Sequence, residues 1–332
     1  AVVAYALAPT ALAFALADLA ATLVGGALTI TLVYRQTLRG QWAALRSHVG
    51  AHLALARGLL LSSLVLGLSM ALNIFYVRID VPLLDLLTNS SQVAIYTSAY
   101  RVIDVMSLLP VAAAGIALPL LVSLGQRSRE HLVEFAQQYL DIAVVCGLFI
   151  AFVLTLIGHD VITLLYGARY AASVPVLLVL SWAGAAMFVT NVFSPLVVAL
   201  DKRRALLLSA VMGLATNIGL NLLLIPRLGP TGSAWATLIT EFVVTAPLVV
   251  VSIRTLRWRL DLYTLLAAIE ATGAALVAAL LSRALPGWAS DTLAIVVWFA
   301  ALVILAPGWT TALVRSLAAR LNLTRAPQTL EG

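Results

Sequence analysis

Long stretches with almost no charge recur along the chain, separated by short connections rich in Gly, Pro, Asp, Ser and Arg. About twenty apolar residues make a helix long enough to cross the hydrocarbon core of a bilayer. Nine stretches meet that requirement, at roughly 11–33, 58–79, 93–124, 139–157, 174–200, 205–225, 231–253, 262–283 and 292–314. None alternates apolar and polar residues as a barrel strand does. Backbone amides in lipid must also be paired within their own segment, so these are helices. The pattern predicts an all-α, polytopic membrane protein with about nine transmembrane helices.

One connection differs from the rest. In 34–57, Trp42, Leu45, Val49 and Leu53 recur every three or four residues, with Arg39 and Arg46 largely off that stripe. This pattern suits an amphipathic helix lying on the membrane surface and acting as a linker. His48 and His52 stand four apart there, a spacing that suits a metal, but the sequence offers no third ligand nearby.

Composition agrees with the periodicity. The 332 residues are 62% hydrophobic and only 10% charged, with a mean hydropathy of +1.05. Soluble domains run nearer a quarter charged. The formal charge of +6 would suit a nucleic-acid surface, but its placement argues otherwise. Fifteen of the 20 Lys and Arg residues fall in alternate connections and the C-terminal tail: Arg35 to Arg57, Arg127 and Arg129, Lys202 to Arg204, Arg254 to Arg259, and Arg315 to Arg325. The other connections hold Arg78, Arg169, Arg227 and Arg283, while Arg101 lies inside a span. That asymmetry is the mark of cytoplasmic loops. It predicts a cytoplasmic C-terminus and no nucleic-acid partner.

Ionisable groups within spans are rare, and they usually face a bundle interior or a wet cavity. Here they include Asp18, Glu241 and Glu270, with Arg101 and Asp104 three residues apart near the outer end of one span. Arg101 and Asp104 read either as a self-contained ion pair or as part of a site. Arg78 and Asp80 close the span at 58–79 and read as headgroup-level charges or as site residues. Glu241 has no charged partner within a helical turn. It is either a neutral acid held by hydrogen bonds or a group lining a polar cavity. Asn73, Asn191, Asn217 and Asn221 add amides within spans. Asn217 and Asn221 share a helix face and could glue helices or line a pathway. Pro110, Pro119, Pro195 and Pro247 are expected to interrupt their spans.

Other chemistries are absent from the sequence. There is no Walker lysine loop, no HExxH and no nucleophile motif. Cys146 is the sole cysteine and sits among apolar residues, so it is read as an inert thiol. The connections on the outer side are short; the longest is about 158–173. An enzyme is therefore disfavoured, a membrane glycosyltransferase included, and no cofactor is expected.

Two stretches carry a family resemblance. "NIFYVRIDVPLLDLLTNSSQVAIYTSAYRVIDVMSLLPVAAAGIALPLL" (73–121) resembles the opening of the second lobe in polysaccharide-biosynthesis oligosaccharide flippases (Wzx-like). Those proteins belong to the multidrug/oligosaccharidyl-lipid/polysaccharide exporter superfamily. Asp80, Tyr96, Ala99, Tyr100, Arg101 and Pro119 stand in the pattern's places, and Ala94–Ile95 replaces its usual Gly. "NIGLNLLLIPRLGPTGSAWATLITE" (217–241) resembles the family's N-x-x-L-x-P-x-x-G-x-x-G-A-A-x-A-T hairpin through Asn221, Pro226, Gly229, Gly232, Ala234, Ala236, Thr237 and Glu241. The short element at 165–182 is similar too.

The resemblance implies two six-helix lobes around a central cavity. It would make 58–253 the second lobe, 254–332 two extra helices with a basic tail, and 1–33 the remnant of a first lobe lacking about five helices. It implies alternating access for a polyprenyl-diphosphate-linked oligosaccharide in the bacterial inner membrane, with a glycan polymerase and assembly proteins as further partners. Arg78 and Arg101 would then meet phosphate. Asn73, Asn217 and Asn221 would meet hydroxyls. Glu241 and Asp18 would couple transport to a proton or cation, and Asp80 and Asp104 would form structural ion pairs. The alternatives are a cation-coupled multidrug exporter of the same fold and a membrane fragment acting only as a scaffold.

Overall fold

The structure is a computed structural model that describes residues 67–69 and 71–307. The span expected at 11–33, the amphipathic stretch 34–57, Asp18, His48, His52 and the basic tail lie outside the described residues. Within them every regular element is helical and none is a strand. The elements are α1 (71–78), α2 (Asp80–Leu87), α3 (Ser90–Arg127), α4 (Arg129–Tyr166), a 3-10 turn (Ala168–Ser173), α5 (Val174–Ala199), α6 (Arg204–Leu228), α7 (Pro230–Leu256), α8 (Tyr263–Leu281) and α9 (Gly287–Leu305). Seven of these helices are long and apolar enough to cross a membrane, with α5 taken together with its preceding turn.

The expected spans from 93 onward each fall on one helix, and the boundaries differ instructively. The span placed at 58–79 does not end at Arg78: the chain turns once at Ile79 and continues as α2 to Leu87. Pro82 has no amide hydrogen for the carbonyl four residues back, which weakens the helix at that point without stopping it. The last span starts five residues earlier than expected, at Gly287, and its α-helix closes at Leu305. The prolines expected to interrupt spans do not do so. Pro110 and Pro119 lie within α3, Pro195 within α5 and Pro247 within α7, and each helix runs through them. Each proline costs its helix one internal hydrogen bond, and packing of neighbouring helices sustains the rest.

At 38 residues each, α3 and α4 are about 57 Å long. That is nearly twice the hydrocarbon thickness and more than an upright span requires. They meet at Ser128, whose hydroxyl accepts the His131 amide and caps α4. Their charged ends, with Arg127, Arg129, Glu130 and Glu134, emerge on one side. Helix reversal puts Lys202 to Arg204 and Arg254 to Arg259 on that same side, here termed the basic end. Arg129 ties the two together by donating from Nε to the Leu256 carbonyl at 2.8 Å.

Helix α5 packs against α3, α4 and α7, and α6 packs against α7. The small residues Ala183 and Gly184 of α5 admit this close packing, and both are buried. Helices α8 and α9 pair with each other and touch the rest chiefly through α4. Trp298 of α9 fills that contact; its ring lies 4.8 Å from Phe149, and its indole nitrogen donates to Thr272 at 3.0 Å. Outward faces such as Leu108, Ile116, Phe242 and Ile304 are apolar and exposed, as lipid contact requires.

Candidate functional site

A polar seam runs through the bundle where α1 and α2 lie against α6 and α7. Its position follows from residue spacing. On α6 the buried residues Gly213, Asn217, Asn221 and Ile225 form a stripe with a period of four. On α7 the facing stripe is Ser233, Thr237, Thr240, Glu241 and Val244. Both stripes carry small residues, which lets the two backbones approach closely. The turn between them is fixed by glycine. Gly229 has φ +57, in the left-handed region, and a Cβ on Gly232 would collide with the Leu224 carbonyl.

Asp80 is the first acid of the seam. Its Oδ2 accepts the Tyr96 hydroxyl at 2.6 Å and the Thr237 hydroxyl at 2.9 Å, and its Oδ1 accepts Asn221 Nδ2 at 2.9 Å. Asn221 Nδ2 also lies 2.9 Å from Asn217 Oδ1. The sequence reading puts Asp80 in an ion pair, at headgroup level or in a site, and neither of the first two holds. Instead it is buried with neutral hydrogen-bond donors, because the helix continues past it and carries it into the interior. The ion pairs among the described residues are Arg78–Asp104 and Arg203–Asp201.

Glu241 is the second acid, one helical turn along α7 from Thr237. Its Oε1 accepts the hydroxyl of Tyr76, itself one turn before Asp80. Its Oε2 accepts Thr190 of α5 at 3.3 Å, and Thr190 meets Thr245 at 2.5 Å. Tyr76 with Glu241 and Asp80 with Thr237 thus form two successive rungs between antiparallel helices. Glu241, Asp80, Asn217 and Asn221 are all buried. Three polar atoms within the seam, Asn217 Nδ2, Asn221 Oδ1 and Ser233 Oγ, have no hydrogen-bond partner. Buried polar atoms are nearly always paired, with protein groups or with ordered water.

The arginines lie elsewhere. Arg78 reaches Asp104 at 3.5 Å, with side chains 64% and 41% exposed. Asp104 therefore pairs with Arg78 across the helices, not with its own-helix neighbour Arg101. Arg101 is exposed one turn before Asp104 on α3, and Asn73 is exposed on α1. Arg78 and Asp104 thus form an accessible charged pair, with Arg101 one turn away on α3, toward the end opposite the basic end. Glu270 sits on an exposed face of α8. No group of three or more His, Cys, Asp or Glu is placed to hold a metal among the described residues.

Sequence reasoning missed Tyr76, Tyr96, Thr190 and Thr245 as partners of the acids. Tyr96 is marked only by its place in the family pattern, and nothing local marks the other three. The only other available signal is the four-residue spacing of Tyr76 to Asp80 and of Thr237 to Glu241.

The fold is similar to that of solved membrane transporters. One is a lipid II flippase, MurJ, in an inward closed conformation, with TM-score 0.57 and 14% identity over 81% of this chain and 56% of that one. Another is a multidrug resistance MATE family transporter of the MOP superfamily in an outward-facing conformation, with TM-score 0.51 and 17% identity over 74% of this chain and 64% of that one. The chain therefore spans less than two thirds of the length of either. No known family profile and no curated protein sequence matches it.

Proposed function

We propose that the chain belongs to a flippase that moves a polyprenyl-diphosphate-linked oligosaccharide across the bacterial inner membrane by alternating access, for surface polysaccharide synthesis. In this reading 58–253 is the second six-helix lobe, 254–332 supplies two further helices and a cytoplasmic tail, 34–57 is the inter-lobe linker and 1–33 ends the first lobe. The fold shared with a lipid II flippase supports the substrate class. The observation that carries the reading is the pairing of two elements in one small region. One is the set of exposed guanidinium groups, Arg78 and Arg101, and the other is the buried acid seam of Asp80 and Glu241 immediately inward.

A diphosphate crossing lipid needs cations that grip oxygen, and guanidinium does so through two parallel hydrogen bonds. Sugars need amides, which Asn73 offers on the accessible face. The seam supplies coupling. Its acids are held by hydroxyls and amides, a donor set suited to exchanging a proton or a small hard cation. Asn221 Oδ1 is an acceptor still open there. Asp18, outside the described residues, joins this role by its place in a span. Membrane lipids and the glycan-assembly machinery are the partners.

A cation-coupled drug exporter is the second reading, favoured by the buried acids and by the shared MATE fold. Complementation of a flippase-deficient strain separates the two. Arg78→Ala and Arg101→Ala in the native protein each abolish surface glycan under the first reading. Normal glycan in both variants, with drug efflux lost on Glu241→Gln, sustains the second.

A further inference from the structure

At the basic end, the turn joining α3 to α4 and the segment after α7 enclose a cleft of about 630 Å³. Its size falls within the range of small-molecule sites. Arg129, Arg257 and Arg259 line it, together with Glu130 as its one acid. The backbone holds these cations in place. Trp258 is buried, with its ring 5.9 Å from Phe193 and its amide donating to the Ile253 carbonyl at 3.1 Å. With Trp258 anchored inward, the residues on either side face outward, and Arg257 accepts a left-handed backbone (φ 44) to do so. Arg129 is pinned by the Leu256 carbonyl. Neither Arg257 nor Arg259 is in an ion pair among the described residues. Val133 and Leu256 supply an apolar floor to the lining.

We propose that this cleft seats the phosphate of an anionic membrane phospholipid, with the glycerol and upper acyl chain resting on the apolar floor. Three observations favour a lipid over a free anion. The cleft lies at the end where basic residues gather, which is headgroup level. The lining combines guanidinium groups with apolar side chains, matching the phosphate and the apolar part of a phospholipid. The cleft also sits at the opposite end from Arg78 and Arg101, so it does not duplicate the substrate contacts proposed above.

The test is native mass spectrometry of the full chain released from phosphatidylcholine vesicles doped with phosphatidylglycerol. The native chain should retain phosphatidylglycerol above its share of the vesicle. The double variant Arg257→Gln/Arg259→Gln should lower that enrichment about tenfold, and Arg254→Gln, on the same helix end but outside the cleft, should leave it unchanged. Equal retention in the double variant overturns the proposal. An equal loss in Arg254→Gln also overturns it, since bulk charge would then explain the preference. Displacement of phosphatidylglycerol by millimolar inorganic phosphate overturns the lipid assignment in favour of a free-anion pocket. If the double variant fails to fold, Glu130→Gln decides: removing the cleft's acid should raise enrichment about threefold, and no rise rejects the proposal.

Discussion

The hydroxyl of Tyr76 donates to the carboxyl of Glu241 across 165 residues of chain. One turn further along both helices, Thr237 donates to Asp80. Two acids are thereby held in the interior by neutral donors, one rung apart, with no cation paired to either among the described residues. A charge-neutral replacement of Glu241 should keep the rung. The amide in Glu241→Gln still offers an oxygen to Tyr76, so this variant should change stability by about 1 kcal/mol or less. It should remove the ion dependence of transport, measured as substrate flux with and without a proton or sodium gradient.

Asp80 organises more of its surroundings. Asp80→Ala leaves Tyr96 without its acceptor and takes one of several acceptors from Thr237 and from Asn221, at a cost of ~2–4 kcal/mol. Asp80→Asn keeps one oxygen and should cost about 1 kcal/mol. Thermal unfolding in detergent should order the three proteins as native, Asn, Ala. A melting point for Asp80→Ala equal to the native one would mean the cluster does not hold α2 in place.

The hairpin that presents Asn217, Asn221, Thr237 and Glu241 depends on backbone contact. A methyl on Gly232 meets the Leu224 carbonyl carbon at 2.6 Å, with rigid backbone on both sides. Gly232→Ala should destabilise by ~2–3 kcal/mol. Gly219, mid-helix on α6, has open space within 4 Å of where a methyl would stand, and Gly219→Ala should gain about 0.5–1 kcal/mol from helix propensity. Opposite shifts in melting temperature check both at once.

Much of this arrangement is legible in the sequence. Apolar runs locate the helices because a bilayer demands about twenty residues, and the Pro226, Gly229 and Gly232 pattern locates the α6–α7 turn. Glu241 stands out because a lone acid in a span is costly. Its partners are not legible. Tyrosine within a span reads as an interfacial residue, and a threonine reads as a back-bonded hydroxyl. Only tertiary packing brings Tyr76 and Thr190 onto Glu241. Asp80 misleads for a related reason. Its neighbour Arg78 suggests a helix end at the headgroups, while the helix continuing to Leu87 draws Asp80 inward. The same continuation carries Arg78 to Asp104, displacing the expected pair of Arg101 with Asp104.

The exposed pair itself should matter little to the fold. Arg78 and Asp104 are both solvent-accessible at 3.5 Å, and such pairs contribute about 0–1 kcal/mol. Asp104→Ala should leave the melting temperature within error of native. Because it frees the Arg78 guanidinium, it should maintain or raise transport, whereas Arg78→Ala should abolish transport at unchanged stability. Initial flux rates alongside unfolding curves separate these effects.

The most direct test of the account is a translocation assay with the native protein in proteoliposomes, following a fluorescent polyprenyl-diphosphate oligosaccharide from one leaflet to the other. The account predicts movement that depends on an ion gradient, is abolished by Arg101→Ala, and loses its ion dependence with Glu241→Gln. Translocation that is absent in the native protein, or equally fast in the Arg101→Ala variant, would contradict it.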